Sequence, residues 1–152
     1  MKDVNMYIYT EYTGSVQSGT GKYHVILEYM AKTRNGEEPA TLKELAICED
    51  ITKNRLELLA VITGLKRLTV PCRITIHTAS DYVTAAILNK WLDKWVQNDF
   101  TSRNKPIRHA DLWRELSNQM QVHEILIQKE ERTPYTAAQQ IELKNCKEKR
   151  RT

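Results

Sequence analysis

Cysteine is scarce in this sequence, which contains only three in 152 residues. Cys48, Cys72 and Cys146 are odd in number and far apart, so they form no metal-ligand pattern and favour a reducing, cytosolic setting. The sequence also lacks the run of about 18 apolar residues that a membrane-spanning helix needs. Residues Met1–Asn5 lack the apolar stretch of a signal peptide. We therefore expect a cytoplasmic protein with no membrane partner.

The composition is that of an ordinary globular protein, with 41% hydrophobic and 28% charged residues. A chain of 152 residues is long enough to bury a core and predicts one domain over residues 1–152. There is no internal repeat and no low-complexity linker. The net charge of +4 permits a polyanionic partner without requiring one.

The first third of the chain predicts three strands. Residues Met6–Thr13 alternate between two sets of side chains, as a β-strand does, and this strand carries Glu11 near its end. Residues Tyr23–Met30 and Thr41–Cys48 are predicted to be the next two strands, with a hairpin signal at Asn35-Gly36 between them. Short connections between consecutive strands indicate an antiparallel meander.

A helix from about Arg55 to Leu68 is predicted next, with Thr52 as its N-cap and an end at Val70-Pro71. Its apolar stripe consists of Leu58, Val61, Ile62, Leu65 and Leu68. The later elements are a strand at Cys72–Thr78, a helix capped by Ser80 or Asp81, an aromatic segment with Trp91, Trp95 and Phe100, a polar loop at Thr101–Pro106, a helix at Ala110–Met120, a strand at Glu124–Gln128 and a final helix after Pro134. The order β-β-β-α-β-α-α-β-α fits a mixed sheet with helix-linked parallel strands.

Glu57 is the unusual residue of the first predicted helix. Its neighbours along the helix are Ala60, Val61 and Gly64, which are small or apolar. A carboxylate in such surroundings is costly unless water, a partner or a cation reaches it. Two interpretations remain open from the residues alone: a solvated glutamate at the edge of the helix, or a functional acid.

Several motifs in sequence order resemble the ribonuclease H family. They are Tyr9-Thr10-Glu11-Tyr12-Thr13, similar to Tyr-Thr-Asp-Gly-Ser; Asn54-Arg55-Leu56-Glu57-Leu58, which matches Asn-Arg-x-Glu-Leu; Thr78-Ala79-Ser80-Asp81-Tyr82-Val83, similar to Thr-Asp-Ser-x-Tyr-Val; Lys105–Trp113, similar to the stretch after the basic handle of bacterial members; and the handle tryptophans Trp91 and Trp95. The resemblance covers a core at residues 6–143 and leaves a basic tail at 144–152. It implies an α/β fold with a five-stranded mixed sheet, in which three antiparallel strands precede parallel ones, flanked by helices.

The family cleaves RNA in RNA–DNA hybrids with two Mg²⁺ ions held by four carboxylates. By resemblance, Glu11 and Glu57 occupy the first two of these positions, whereas Ala79 and Gln140 occupy the other two. The family's histidine-bearing loop before the last helix has no counterpart, and Glu130 falls nearest to that histidine. We therefore expect Glu11 and Glu57 to be the residual catalytic and metal-binding residues, and to hold one Mg²⁺ weakly at most.

Three further acids are candidates to replace the missing charge: Asp81, Glu130 and Glu142. Asp81 lies just past a strand end, where capping a helix is the commoner role. Glu142 is half a helical turn from Gln140 and is expected to point elsewhere.

The resemblance also implies a nucleic-acid-binding surface. Its candidate residues are Gln17 after the first strand, Thr52, Lys53, Asn54 and Arg55 at the start of the first helix, and Lys90, Trp91, Lys94, Trp95, Lys105 and Arg108 in and after the handle. For each group a purely structural role stays open as the alternative to nucleic-acid binding. The residues at the start of the first helix could serve only as a cap beside solvated basic residues. The tryptophans could serve only to pack the handle onto the core.

The preferred hypothesis from the sequence is a ribonuclease H-like protein that binds nucleic acid, as RNA–DNA hybrid or duplex, with nuclease activity weak or lost. The first alternative is an active Mg²⁺-dependent hybrid endoribonuclease with a rearranged site. The second alternative is a protein-interaction scaffold.

Overall fold

The structure, a computed structural model, describes residues 1–146 and the backbone of residues 150–151. Its strands are β1 (Lys2–Gly14), β2 (Gly19–Thr33), β3 (Gly36–Ile51), β4 (Cys72–Thr78), β5 (Thr101–Ser102), β6 (Lys105–Pro106), β7 (Glu124–Lys129) and β8 (Arg150–Arg151). Its helices are α1 (Lys53–Arg67), α2 (Asp81–Leu88), α3 (Trp91–Gln97), α4 (Ala110–Val122) and α5 (Thr136–Asn145). No helix in the described part of the chain is long and apolar enough to span a membrane.

The main sheet confirms the predicted fold class. Its strand order is β7-β4-β1-β2-β3-β8. Strands β1, β2 and β3 form the predicted antiparallel meander, while β4 pairs in parallel with both β1 and β7. The short strand β8 is a sixth strand of this sheet, paired in parallel with β3, and the sequence did not indicate it. The rest of the predicted basic tail, residues 147–149 and 152, lies outside the described residues.

The main core lies between the sheet and helix α1. Met6 and Val25 point from the sheet towards Gly64 of α1, where an added Cβ would lie 2.9 Å from Met6 Sδ and 3.0 Å from Val25 Cγ1. Helix α4 completes this layer with Trp113 and Leu116, which are fully buried. Because side chains alternate along a strand, Met6, Ile8 and the other even-numbered residues of β1 face α1.

The opposite face of β1 packs against α5. Tyr7 stacks on His77 and contacts Tyr135, with ring centroids 4.6 Å and 4.9 Å apart. Gln139 of α5 donates from Nε2 to the carbonyl oxygens of Tyr7 and His24, at 2.9 Å and 3.2 Å. The same alternation places Tyr9 and Glu11 on this α5 face of the sheet.

The predicted polar loop at 101–106 contains a small hairpin, so that part of the prediction was wrong. Thr101 pairs with Pro106 and Ser102 with Lys105. The two connecting residues, Arg103 and Asn104, have φ values of 53° and 62°. Two successive positive φ values are typical of the tight turns that join antiparallel strands. The turn lacks the glycine by which such a hairpin is usually recognised in a sequence.

Candidate active site and nucleic-acid groove

A small cleft lies where β1 and β4 meet the connection between β7 and α5. Its volume is about 230 Å³. It is lined by Ile8, Tyr9, Thr10, Thr78, Ala79, Ser80, Glu130, Glu131, Thr133 and Thr136. Hydroxyl groups therefore dominate the lining, and the residue directly after β4 contributes only the methyl group of Ala79.

Glu11 lies beside this cleft on the α5 face of β1. The Tyr9 hydroxyl donates a hydrogen bond to Glu11 Oε2 over 2.9 Å. Burial and the nearby Glu11 carboxylate raise the pKa of Tyr9, so the hydroxyl keeps the proton that it donates. The Gln140 side chain lies near the Tyr9 hydroxyl and partly opposes this rise in its pKa. The structure thus brings the predicted first and fourth positions, Glu11 and Gln140, to one tyrosine hydroxyl.

Glu57 approaches from α1 on the other side of the sheet and is only 7% exposed. The hydroxyl of Ser80, which caps α2 by accepting from Val83 N over 3.1 Å, lies near the Glu57 carboxylate. Burial raises the pKa of Glu57 above its ordinary value, and the nearby Asp81 adds to this, while Ser80 and Lys53 oppose it. Of the two interpretations left open by the sequence, a solvated helix edge is wrong.

The three acids considered as replacements each have a basic partner. Asp81 Oδ1 lies 2.6 Å from Lys129 Nζ, and Glu130 Oε1 lies 3.0 Å from His77 Nδ1. Glu142 lies 2.5 Å from His24 Nε2 and 2.7 Å from Lys43 Nζ. Lys43 and His24 lower the pKa of Glu142, as expected for a carboxylate with two partners. Glu142 points away from the cleft, as its half-turn offset from Gln140 predicted.

An open groove of about 300 Å³ lies at the N-terminal end of α1. It is lined by Tyr12, Gly14, Ser15, Val16, Thr52, Lys53, Asn54, Arg108 and His109. Thr52 Oγ1 accepts a hydrogen bond from Arg55 N over 3.2 Å, which confirms its predicted role as N-cap. The Lys53, Asn54 and Arg108 side chains are exposed. The groove thus brings Thr52, Lys53 and Asn54 together with Arg108, a fourth predicted binding residue that lies more than 50 positions further along the sequence.

Gln17 and Arg55 lie near this groove without lining it. Gln17 is exposed in the turn after β1, where its backbone N donates to Ser15 Oγ over 3.2 Å. Arg55 turns to α4, and its Nη1 and Nη2 donate to Asp111 Oδ1 and Oδ2 over 3.1 Å and 2.6 Å. Its guanidinium is therefore held by a carboxylate and does not line the groove.

The handle tryptophans differ in exposure. Trp95 is half-buried and packs on Trp113 with ring centroids 4.9 Å apart, whereas Trp91 is 42% exposed. Phe100 is buried under the Arg114 guanidinium, 4.7 Å from its ring centroid. The Lys90, Lys94 and Lys105 side chains are all exposed. Of these aromatic residues, Trp91 is the one with a ring available for stacking on a ligand.

Comparison with known proteins decides the family. The ribonuclease H family model matches residues 3–131. Ribonuclease H of Caldicellulosiruptor saccharolyticus is 37% identical over 132 residues, which cover 85% of this chain and 83% of that protein. The chain belongs to the ribonuclease H family.

Solved ribonuclease H structures share the fold. The crystal structure of LC9-RNase H1, a type 1 RNase H with the type 2 active-site motif, matches with a TM-score of 0.70 at 20% identity over 84% of this chain and 62% of that one. Foamy viral protease-reverse transcriptase in complex with RNA/DNA hybrid matches with a TM-score of 0.63 at 18% identity, over 92% of this chain and 18% of that one. Both likenesses establish the ribonuclease H fold for this chain.

The Mg²⁺ pair implied by the ribonuclease H family does not fit these side chains. Divalent Mg²⁺ prefers several oxygen ligands, mostly ionised carboxylates. Here Ala79 offers no ligand, Gln140 offers no charge, and burial favours the protonated form of Glu57. Across residues 1–146, no group of three or more His, Cys, Asp or Glu side chains is placed to hold a metal ion.

Replacing Glu57 by Gln is expected to stabilise the protein at neutral pH. The raised pKa of Glu57 means that the folded state disfavours the ionised form. The contribution of Glu57 to the free energy of unfolding is therefore most favourable below the ordinary pKa of a glutamate. This contribution is lost as the pH rises through the pKa of Glu57 in the folded protein. Glu57→Gln should raise the melting temperature at about pH 7 but change it little at about pH 4, where glutamate is largely protonated in both states.

Thermal unfolding followed by circular dichroism at both pH values checks this expectation. Glu38→Gln is the matched control, because Glu38 is an exposed residue of β3 far from the cleft. An equal change for Glu57→Gln at both pH values would contradict the desolvation of Glu57.

Sequence reasoning missed Tyr9 and His109 as members of these two sites. The only signal for His109 was its place in the Lys105–Trp113 motif, where the family has asparagine.

Proposed function

We propose that this ribonuclease H-family chain binds nucleic acid, as RNA–DNA hybrid or duplex, and hydrolyses it weakly or not at all. The proposed weak or absent hydrolysis is supported by Ala79, which lines the cleft with a methyl group at a position where the family resemblance implies a carboxylate. The observation that supports binding is the open groove at the N-terminal end of α1, with the exposed cations Lys53 and Arg108.

Charge explains why one missing acid matters. Unit charges about 4 Å apart interact by roughly 4 kcal/mol at an effective dielectric constant near 20. Removing one carboxylate from the ligands of a divalent ion therefore weakens its binding by orders of magnitude. Glu11 and Glu57 remain, and we propose that they hold one Mg²⁺ weakly at most. Because the Tyr9 hydroxyl already donates a hydrogen bond to Glu11, ion binding at Glu11 also has to compete with an existing partner.

The binding surface extends from the groove to the handle. Thr52, Lys53, Asn54 and Arg108 line the groove, and Gln17 lies on the neighbouring turn. Lys90, Lys94 and Lys105 present exposed ammonium groups, and the exposed ring of Trp91 is available for stacking. We propose Trp95 as a support that fixes the handle through Trp113. The three scattered cysteines favour a cytoplasmic location.

A second candidate is an active Mg²⁺-dependent hybrid endoribonuclease with a rearranged site. The 37% identity to a protein named ribonuclease H favours it, since relatives of that similarity often share an activity. It would need an acid such as Glu130 or Glu131, both of which line the cleft, to replace the missing ligand. Glu130 would first have to leave His77.

A binding and cleavage assay on one labelled RNA–DNA hybrid separates the candidates. The purified protein is titrated into the hybrid at low and high salt, and parallel reactions contain millimolar Mg²⁺ or Mn²⁺. We expect salt-dependent binding with little or no cleavage. A double-stranded DNA of the same sequence tests the preference between hybrid and duplex.

Glu57→Gln serves as the control for contaminating nuclease. Robust cleavage by the wild type that disappears in Glu57→Gln would overturn the proposed loss of activity and support the endoribonuclease. Cleavage equal in both proteins would indicate a contaminant. Absence of binding even at low salt would overturn the proposed function and leave the protein-interaction scaffold as the better hypothesis.

A further inference from the structure

Strand β3 has an outer edge that is covered only at one end. In the described part of the chain, β8 is the one strand beyond β3, and it pairs in parallel through Ile47 with Arg150 and through Cys48 with Arg151. The rest of β3, back to Gly36, pairs with β2 alone. Its outer backbone N–H and C=O groups therefore face away from the sheet, and such an edge is a template for a further strand.

Pro39 indicates which backbone groups of β3 point outwards. Proline has no N–H to donate to a neighbouring strand, so within a sheet its nitrogen faces the open edge. The register with β2 runs without a bulge from Gly36 to Cys48. Because a strand alternates with a period of two residues, Thr41, Lys43 and Leu45 present their N–H groups to the same open edge as Pro39.

The edge strand is acidic, although the protein has a net charge of +4. Its sequence contains five carboxylates and a single basic side chain, which are Glu37, Glu38, Glu44, Glu49, Asp50 and Lys43. A surface of this sign repels the phosphates of nucleic acid and attracts a cationic partner. The β3 edge therefore suits a different ligand from the groove that contains Lys53 and Arg108.

A second groove adjoins the end of β3 at which β8 lies, and its volume is about 420 Å³. This β3–α1 groove is lined by Tyr23, Cys48, Glu49, Asp50, Ile51, Arg55, Leu59 and Thr63. The charge of Arg55 is compensated by Asp111, which accepts two hydrogen bonds of 3.1 Å and 2.6 Å from its guanidinium.

The lining of the β3–α1 groove suits an arginine side chain. Glu49 and Asp50 supply carboxylates, which bind a guanidinium through charge-assisted hydrogen bonds. Leu59 and Ile51 supply apolar surface, on which the methylene groups of an arginine can pack. An incoming strand that continues past Cys48 would carry its side chains to this groove.

We propose that the outer edge of β3 and the β3–α1 groove form a docking site for a basic, extended peptide segment of a partner protein. The segment adds as a strand parallel to β3, in the place of β8, and sets an arginine against Glu49 and Asp50. The strand Arg150–Arg151 supports this direction and this chemistry, because it is a basic segment that already pairs with the same edge.

A partner segment has more to gain from the edge than β8 has. Strand β8 forms pairings with two residues of β3 only. A longer segment that also pairs along Thr41–Leu45 makes backbone hydrogen bonds that β8 does not make, and such bonds supply the affinity when a strand adds to a sheet. The site is separate from the nucleic-acid groove, so this inference does not depend on the proposed function.

Fluorescence anisotropy with the full chain and a labelled peptide tests the docking. The probe is a peptide of about nine residues in which arginine and valine alternate, so that all arginines share one face of the strand. Two comparison peptides have glutamate in place of arginine, or proline in place of valine, which prevents pairing as a strand. We expect only the arginine–valine peptide to bind. Equal binding of either comparison peptide, or no binding of the probe, would overturn the proposal.

Substitutions in β3 separate the carboxylates from the backbone. Glu49→Gln with Asp50→Asn should weaken binding of the probe about tenfold, because the arginine loses two charged acceptors. Asparagine tolerates the φ of 52° at position 50. The matched control is Glu37→Gln with Glu38→Gln, which removes the same charge from the same strand beyond Pro39 and should change the affinity little. Equal losses in both double variants would mean that binding follows net charge and not this site.

Thr41→Pro tests the contribution of the backbone. It removes an N–H from the open edge without removing a hydrogen bond to β2, and it should weaken binding about fivefold. Thermal unfolding verifies that each variant is folded. Hydrogen exchange of the wild type, followed by nitrogen-15 NMR, gives an independent readout, since the probe should protect the amides of Thr41, Lys43 and Leu45. Protection elsewhere without protection of these amides would refute strand addition at β3.

Competition with β8 completes the test. Arg150→Ala with Arg151→Ala removes the basic side chains of the competing segment and should tighten binding of the probe several-fold. An unchanged affinity would show that the probe does not take the place of β8. Sedimentation of the wild type identifies the other occupant to be considered: a chain that self-associates and rejects the probe would assign the edge to a second copy and overturn the proposed partner.

Discussion

Restoring the missing acids is expected to create Mg²⁺-dependent cleavage of an RNA–DNA hybrid. The design combines Ala79→Asp, Glu11→Asp and Gln140→Asp. Ala79 lines the cleft directly after β4, so an aspartate there adds a carboxylate where the lining is now a methyl group. Gln140 of α5 lies near Tyr9, whose hydroxyl donates to Glu11, so an aspartate at position 140 adds a charge close to Glu11.

We expect the triple variant to cleave the hybrid at least about a hundredfold faster than the wild type. A displacement of about 1 Å at a reacting centre costs roughly a hundredfold, so the shorter Asp side chain at position 11 matters as well as the added charges. Ala79→Asp alone should bind Mg²⁺ more tightly than the wild type with a smaller gain in rate. Calorimetry measures ion binding, and gel analysis of the labelled hybrid measures cleavage.

The control is the same triple variant with Glu57→Gln added. It should lose the gained activity, because it removes the acid that α1 contributes. If the triple variant binds Mg²⁺ without cleaving, the β7–α5 connection, which lacks the family's histidine, is the remaining deficiency. A triple variant that neither binds Mg²⁺ nor cleaves would contradict the view that the absence of carboxylates at positions 79 and 140 explains the weak or absent activity that we propose.

Removing two cations from the groove is expected to weaken hybrid binding strongly. Lys53→Ala combined with Arg108→Ala leaves the groove shape largely unchanged, since both side chains are exposed. Each phosphate contact contributes about 0.9 to the slope of log affinity against log salt. We expect the slope to fall by nearly 2 and the affinity at low salt to drop by about ten- to a hundredfold.

Fluorescence anisotropy with a labelled hybrid at several salt concentrations measures both quantities. The control is Lys32→Ala with Arg34→Ala, which removes the same charge from the exposed end of the β2–β3 hairpin. This control should lower the affinity only slightly. If both double variants reduce the slope equally, binding depends on net charge and the groove is not the phosphate site.

Local sequence patterns determined the elements and the family of this protein. The alternation in Met6–Thr13 falls within β1, and Thr52 caps α1 as predicted. These features depend on neighbours within a few residues, which is why they can be read from the sequence. The motif around Asn54–Leu58 likewise identified the ribonuclease H family, which the comparisons confirm.

The hairpin at Thr101–Pro106 shows where local patterns are insufficient. Its turn depends on Arg103 and Asn104 adopting positive φ values. Asparagine adopts that conformation readily but arginine rarely does, and the segment lacks the Asn-Gly or Asp-Gly pair that usually indicates such a turn. The surrounding contacts, such as Ile107 N donating to the Phe100 carbonyl oxygen over 3.0 Å, support the hairpin from outside it.

By itself, the sequence determined which acids this protein has, and its resemblance to the family predicts that Ala79 and Gln140 stand at carboxylate positions. Only the tertiary structure decided what the remaining charges do. Arg55 pairs with Asp111 at 56 positions' distance, and His77 pairs with Glu130 at 53. Strand register and helix packing determine these pairs, because charged side chains far apart in sequence meet only when the folded chain brings their elements together.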